Sequence, residues 1–176
     1  MAPKDILALL QGGDVRSTGR ADQAAAIVSK DPKRFPELMA GLWSDDRLIR
    51  MRAADAAEKA TRKNHALLAP YKKEILGLLR EATEKELRWH LAAMVPRLRL
   101  NARERREAMT FLNKYLEDKS SIVKTFALQG LTDLAENEPA IQAEVMEILE
   151  QSLRSGTPAM KARSRKLLKR LQKLER

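Results

Sequence analysis

One short motif recurs along this 176-residue chain at nearly regular intervals. In each copy a basic residue follows an apolar or small residue, and the clearest copies carry small or apolar residues three and four positions later. The basic anchors of the motif are Arg20, Arg50, Arg88, Lys124 and Lys161. Successive anchors are separated by 30, 38, 36 and 37 residues, and a period in this range is typical of stacked repeats. The motif therefore predicts a repeat architecture for nearly the whole chain.

The composition favours helices, because Ala, Leu, Arg, Lys and Glu dominate and Gly and Pro number only seven each. Apolar residues fall at helical spacing, and no run alternates with a period of two, so we predict no strands. The predicted helices lie near residues 3–11, 18–29, 33–43, 47–62, 66–81, 84–99, 102–117, 120–136, 139–154 and 158–174. Each anchor falls near the start of the second helix of a pair. The short connections predict antiparallel hairpins, about five of them, in one all-α domain over residues 1–176.

Local signals refine this prediction at several positions. Thr83 and Asn101 each precede a Glu by three residues, as in a capping box. Pro96 is expected to kink its helix or to end it early. Gly130 is expected to let two helix backbones approach closely, as are Ala92 and Ala93 in the preceding pair. The side chains of Trp43 and Phe126 are expected to pack inside the protein.

Residues 49–57 resemble the second helix of a HEAT repeat, and Asp45 and Asp46 resemble the acidic turn that precedes it. Glu84 and Asp118 are acidic residues at similar positions before the next two anchors. The resemblance implies a right-handed α-solenoid, although the steps are shorter than the roughly 40–47 residues of such repeats. It also implies that each basic anchor is structural and pairs with the acidic turn of its own or the adjacent repeat.

The second helices of such a solenoid conventionally line its concave face, and the resemblance therefore implies a partner-binding surface. The residues expected on it are Trp89, Met51, Lys59, Arg62, Arg97 and Gln129. Trp89 stands out, because an exposed Trp beside bases can stack on a nucleobase or anchor a peptide. The alternative is that Trp89 packs between helices.

The net charge of +10 is concentrated at the C-terminal end, where residues 156–176 carry +7 and the other 155 residues only +3. Such a concentration of positive charge can bind phosphate groups. The bases proposed for phosphate contact are Lys166, Lys169, Arg170 and Lys173. The alternative is that residues 158–176 form a capping helix, since the end of a solenoid needs a polar outer face.

Catalytic signals are weak throughout the sequence. The chain has no cysteine, which excludes disulfides and thiolate sites, and His65 and His90 do not stand at a metal-ligand spacing. Neither a Gly-rich phosphate loop nor a Ser-His-Asp set can be assembled. HEAT-like DNA glycosylases, which excise alkylated bases, use Trp residues and a catalytic Asp. Here Trp43 and Trp89 fall in different kinds of helix, and no Asp is evident next to either on the expected concave side, so a function like that of these glycosylases is the least favoured alternative.

The sequence therefore predicts a protein that is not an enzyme and needs no cofactor or small-molecule substrate. No apolar stretch approaches the roughly 18 residues of a membrane span, and no signal peptide is recognised, so we expect a cytoplasmic location. The favoured function is an interaction or scaffold module that binds a protein partner on its concave face. The alternative is nucleic-acid binding through the basic C-terminal helix and the concave bases.

Overall fold

The computed structural model describes residues 5–14 and 16–174, and this part of the chain is all-α, with nine α-helices and no strand. The helices are α1 (Ala21–Lys30), α2 (Phe35–Ala40), α3 (Arg47–Thr61), α4 (Lys72–Glu81), α5 (Lys85–Met94), α6 (Ala102–Tyr115), α7 (Ser121–Ala135), α8 (Pro139–Ser155) and α9 (Pro158–Gln172). Short 3-10 helices extend or precede several of them, at Leu7–Leu10, Pro32–Arg34, Gly41–Trp43, His65–Tyr71 and Val95–Arg97.

The predicted helices after the first agree with these bounds to within a few residues once the 3-10 segments are included. The first predicted helix, near 3–11, differs. Residues 3 and 4 lie outside the described part of the chain, and the remainder contains only the 3-10 helix Leu7–Leu10. The expected effect of Pro96 is confirmed, because α5 ends at Met94 and a 3-10 turn follows.

The helix starts show which capping predictions were right. Asn101 forms a complete capping box with Glu104, as predicted. The box predicted at Thr83 is wrong, because α5 begins one residue later, after Glu84, and its start has no side-chain capping bond. Thr157 caps α9 by accepting a hydrogen bond from the Met160 amide. Pro158 follows in the first turn, where its lack of an N–H group removes no hydrogen bond of the helix.

The chain divides into two compact units, Met1–Lys72 and Lys73–Arg176. In the first unit, α1 and α2 both pack against α3. Consecutive small side chains make this close packing possible, and Ala53, Ala54, Ala56 and Ala57 are all fully buried in α3.

The buried Arg52 of α3 holds the loop before α1 in place. Its guanidinium donates hydrogen bonds to the backbone carbonyls of Leu10 (2.7 Å), Gly12 (2.5 Å), Asp14 (3.1 Å) and Ser17 (3.2 Å). Gly19 has a φ of +56° and lies so close that an added Cβ would be 2.9 Å from the Arg52 Cζ. A glycine is therefore needed there for both its conformation and its size.

In the second unit, α5, α7 and α9 pack side by side, and α6 and α8 pack behind α7. Trp89 contacts Phe126 while Gly130, one turn further along α7, lies against the backbone of Ala92, so α5 and α7 run in the same direction. An added Cβ at Gly130 would be 2.6 Å from the Ala92 carbonyl oxygen. The predicted close approach at Gly130 is therefore confirmed.

The prediction that Trp43 is a packing residue is wrong, because its side chain is 49% exposed. Trp43 ends the 3-10 turn Gly41–Trp43, in which Gly41 and Leu42 take the buried positions. A turn this tight cannot direct three consecutive side chains to the interior, so the Trp43 ring is left towards solvent.

Candidate functional site

Four of the five anchors occupy the same place in their helices. Arg50, Arg88, Lys124 and Lys161 are each the fourth residue, in α3, α5, α7 and α9. Arg20 does not share this position, since it is the residue before α1. Asp22 at the start of α1 binds Lys59 in the C-terminal half of α3. The first copy of the motif therefore does not occupy the helical position that the other four copies share.

Two of the five anchors, Arg50 and Arg88, bind groups within the fold. Arg50 donates to the carbonyl oxygens of Ser44 (2.6 Å) and Asp45 (3.0 Å) in the turn before its own helix. Arg88 donates to the Ala82 carbonyl at 2.7 Å and to the Asp118 carboxylate at 2.5 Å, in the turn before the next anchored helix. These two side chains therefore join a helix to a turn within the protein.

The outward face of the α5–α7–α9 layer is defined by one stripe of α7. This helix packs against α5, α9, α6 and α8. One row of its accessible side chains lies between α5 and α9. The row consists of Ile122, Phe126, Gln129, Asp133 and Glu136. Ile122 is 55% exposed, so this row includes a large apolar side chain on the surface.

Apolar groups cluster in the N-terminal half of this face. The Trp89 ring of α5 lies 5.0 Å from the Phe126 ring, and the guanidinium of Arg163 in α9 lies 5.9 Å from Phe126 on the other side. These three residues are spaced 37 apart in the sequence, close to the spacing of the anchors. We call Trp89, Ile122, Phe126 and Arg163 the aromatic strip.

Trp89 is half-buried and held in a fixed position. Its ring stacks on His90 with 3.5 Å between centroids, and the His90 Nδ1 is 2.6 Å from the Glu86 carbonyl oxygen. The imidazole is almost completely buried beneath it. Trp89 therefore both packs between helices and contributes part of its surface to the outward face.

The C-terminal half of the same face is polar. Arg163 donates to the Gln129 side chain at 2.8 Å, and Gln129 donates to the Asp133 carboxylate at 2.7 Å. Arg170 completes this chain of contacts by pairing with both Asp133 and Glu136. The charge of Arg170 is therefore balanced within the protein.

The predicted partner-binding residues lie in both units. Trp89 and Gln129 belong to the outward face of the second unit, and Arg97 follows α5 in a half-exposed 3-10 turn. Met51, Lys59 and Arg62 belong to α3 of the first unit, where Met51 is half-buried.

Lys59 and Arg62 are occupied by carboxylates. Lys59 pairs with Asp22 at 2.5 Å and with Asp55 at 2.7 Å, and Arg62 pairs with the buried Glu58 at 2.6 Å. Burial alone would lower the pKa of Lys59, but its two carboxylate partners raise it above its ordinary value. The hydrogen bond to Glu58 likewise raises the pKa of Arg62. Both side chains therefore stay charged while serving the first unit itself.

The predicted phosphate-contacting residues separate into two groups. Successive helical residues turn by about 100°, which places Lys166, Lys169 and Lys173, together with Arg165, opposite the buried stripe of α9. These four side chains are exposed and form no ion pair among the described residues, whereas Arg170 is held by α7. Arg176 and the single acid Glu175 lie outside the described residues.

Sequence reasoning missed Ile122 and Arg163 as members of the face and assigned Phe126 only to packing. The signal that could have found the strip is the same step of 37 residues that relates Trp89 to Phe126 and Phe126 to Arg163. The anchors are the basic positions of the motif, whereas the exposed apolar groups stand at neighbouring positions.

Among the described residues, no group of three or more His, Asp or Glu side chains is arranged to hold a metal ion. No helix in the same part of the chain is both long and apolar enough to cross a membrane. The sequence matches no protein-family model and no curated protein with which it was compared.

Proposed function

We propose that this chain is a non-catalytic interaction module of the HEAT-like class, which binds a protein partner on the outward face of the α5–α7–α9 layer. The proposed arrangement is a right-handed solenoid of about five hairpins. Two observations support it: four anchors share one helical position, and α5, α7 and α9 pack side by side with α5 and α7 in one direction.

The aromatic strip is the observation that carries the proposed function. Protein interfaces concentrate their binding energy in a few aromatic and Arg side chains near the centre of the contact. The strip combines Trp89, Phe126 and Arg163 with the exposed Ile122 on one accessible surface. Its parts come from three different helices, so the surface exists only in the folded repeat array.

The charges of this face favour a protein over a nucleic acid as its partner. A nucleic-acid groove needs a continuous row of unneutralised bases to replace condensed counterions. On this face Asp133 and Glu136 occupy the C-terminal half of the row and pair with Arg170, so the face has no continuous row of free bases. The mixture of apolar, amide and paired charged groups is instead typical of the centre of a protein interface.

The experiment that tests this proposal compares proteins retained by the wild type with those retained by Ile122→Glu. Ile122 lies in the first turn of α7, where a glutamate is compatible with the helix dipole, so this substitution should preserve the fold. The matched control is Ala143→Glu, which places the same charge on an exposed position of α8. Retention is measured from nuclease-treated extract of the source organism at moderate salt.

We expect one or more proteins to be retained by the wild type and by Ala143→Glu and to be lost with Ile122→Glu. Retention of the same proteins by Ile122→Glu would contradict the proposal, as would the loss of all retained material on nuclease treatment.

A second candidate function, nucleic-acid binding through α9, is supported by a separate observation. Arg165, Lys166, Lys169 and Lys173 present four charges on one exposed side of the helix, without an ion pair among the described residues. A cap requires polarity but not a single sign of charge. This surface is distinct from the aromatic strip, so the two functions can be tested separately.

A further inference from the structure

We infer that the segment which docks on the aromatic strip is an acidic amphipathic helix. This inference rests on the proposed function and adds the chemistry of the partner. It follows from three properties of the strip: its apolar centre, the charges around it and the absence of any free sheet edge.

The apolar centre of the strip calls for apolar side chains on the partner. Ile122 is 55% exposed, and part of Trp89 and Phe126 is accessible beside it. An amphipathic helix presents such side chains at positions i, i+3, i+4 and i+7, along one stripe. When that stripe covers Ile122 and the two rings, water is excluded from all three.

The charges around the apolar centre are positive. Lys85 stands at the start of α5 with 62% of its side chain exposed, and it forms a long ion pair of 3.9 Å with Glu86. On the other side, Arg163 reaches the strip from α9, and the exposed Lys166 lies less than one turn further along. The acids of this face, Asp133 and Glu136, lie towards the C-terminal end of α7, where Arg170 binds them.

The helix dipoles add to this positive potential. Ser121 at the start of α7 is 3.2 Å from Thr157 at the start of α9, and the contact of Phe126 with Arg163 and that of Asp133 with Arg170 follow in the same order. The helices α7 and α9 are therefore parallel, as α5 and α7 are. Ile122 lies in the first turn of α7, where the positive end of the helix dipole favours a partner with carboxylates.

The secondary structure of the partner follows from what this face can offer. A strand binds most readily by hydrogen bonding to an unpaired sheet edge, and the described residues contain no strand. The backbone groups inside α5, α7 and α9 are satisfied within the helices. Recognition must therefore rely on side chains, as it does when a helix lies in a groove between other helices.

Three synthetic peptides of about 18 residues, long enough to form helix on binding, test the inference. The first carries Leu at helical spacing and Glu at the exposed positions. The second replaces each Glu with Lys, and the third keeps each Glu but replaces every Leu with Ser. Each is labelled with fluorescein, and its binding to the full chain is measured by fluorescence anisotropy at about 150 mM salt.

We expect the Leu/Glu peptide to bind at least about tenfold more tightly than either of the other two. Ile122→Glu should weaken its binding by about tenfold or more, as should the double variant Lys85→Glu with Lys166→Glu, while Ala143→Glu should leave it unchanged. Equal binding of the Ser/Glu peptide would overturn the inference, because the contact would then be one of charge alone. Tighter binding of the Leu/Lys peptide, or insensitivity to Ile122→Glu, would also overturn it.

These outcomes are distinguishable from failure of the proposed function. If extract proteins are retained through Ile122 but the Leu/Glu peptide neither binds nor displaces them, the face binds a protein of another kind. In that case the inference fails and the proposed function stands. If no protein depends on Ile122, the proposed function fails whatever the peptides do.

Discussion

Arg88 and Asp118, separated by 30 residues in the sequence, are joined by a hydrogen bond of 2.5 Å between the Arg88 Nη1 and the Asp118 Oδ2. Arg88 also donates to the Ala82 carbonyl, and Asp118 accepts a further bond from the Ser120 amide at 2.7 Å. One ion pair therefore links the turn before α5 to the turn before α7. Because the Asp118 side chain is only 8% exposed, water screens this pair weakly.

Replacement of Asp118 by Asn should lower stability in a manner that depends on pH. Burial would raise the pKa of Asp118, but the Ser120 amide and Arg88, with Lys124 nearby, together lower it below its ordinary value. A lowered pKa in the folded state stabilises the fold above the unfolded pKa of about 4, and this contribution disappears as pH falls through the folded pKa. We expect urea unfolding to show a loss of about 1–3 kcal/mol at pH 7 and a smaller loss near pH 3.

The matched control is Glu150→Gln, since Glu150 is exposed on α8 and belongs to no ion pair among the described residues. Its effect should stay within about 0.5 kcal/mol at both pH values. A loss for Asp118→Asn that is equally large at pH 3 would show that the carboxylate charge is not what stabilises the contact.

Gly130→Ala and Gly77→Ala should change stability in opposite directions, although both occur inside helices. An added methyl at Gly130 would meet the Ala92 carbonyl oxygen at 2.6 Å, whereas nothing lies within 4 Å of the equivalent position at Gly77. We expect Gly130→Ala to destabilise by about 1–3 kcal/mol through the forced separation of α5 and α7. Gly77→Ala should stabilise by up to about 1 kcal/mol, because Ala has the better helix propensity.

The melting temperatures of the two variants, measured by circular dichroism, decide this comparison. If Gly130→Ala melts at or above the wild-type temperature, the close contact between α5 and α7 does not limit the packing of this layer.

Much of this fold could be predicted from the sequence because its signals are local. Helix propensity, the capping box at Asn101 and the early end of α5 before Pro96 depend only on neighbouring residues. The close approach at Gly130 was also predictable, since small residues recur where second helices meet. The recurrence of the anchors added the one long-range constraint, which relates α3, α5, α7 and α9.

Other features depend on contacts between distant residues that no local pattern encodes. The four carbonyl oxygens bound by Arg52 come from residues 35–42 positions earlier, and the sequence gives no sign that they converge. Lys59 and Arg62 look like free bases in the sequence, but carboxylates of the same unit bind both. The exposure of Trp43 likewise depends on which residues of the turn after α2 are buried, and these are Gly41 and Leu42.

Arg52→Met should destabilise the first unit and release the loop before α1. Methionine retains most of the volume of the side chain but leaves the carbonyl oxygens of Leu10, Gly12 and Asp14 without their donor. Because the Leu10 carbonyl is buried and would be left without a partner, we expect a loss of about 1–3 kcal/mol. Trypsin should also cleave faster after Arg16 and Arg20, which is measured by mass spectrometry of the early fragments.

The control for Arg52→Met is Arg47→Met, which makes the same replacement at an exposed position of the same helix. Its effect on stability should be within about 0.5 kcal/mol, and its cleavage pattern should differ only by the missing site at residue 47. Unchanged cleavage after Arg16 and Arg20 in Arg52→Met would show that the loop is held by other contacts.

The second candidate function makes a prediction about salt and charge. If α9 binds nucleic acid, Lys166, Lys169 and Lys173 contact phosphates, and the logarithm of the affinity should fall with the logarithm of the salt concentration at a slope of about −0.7 to −0.9 per phosphate contact. Reversal of these three charges to Glu should therefore lower the affinity for labelled single-stranded or duplex DNA by at least about 100-fold at low salt and flatten the slope by about 2–3.

The control is a triple reversal of Lys30, Lys33 and Lys63, exposed residues of the first unit, which changes the net charge equally. If both triple variants lose affinity to the same extent, the attraction is due to net charge alone. If neither the wild type nor the control binds DNA at low salt, the second candidate function is wrong.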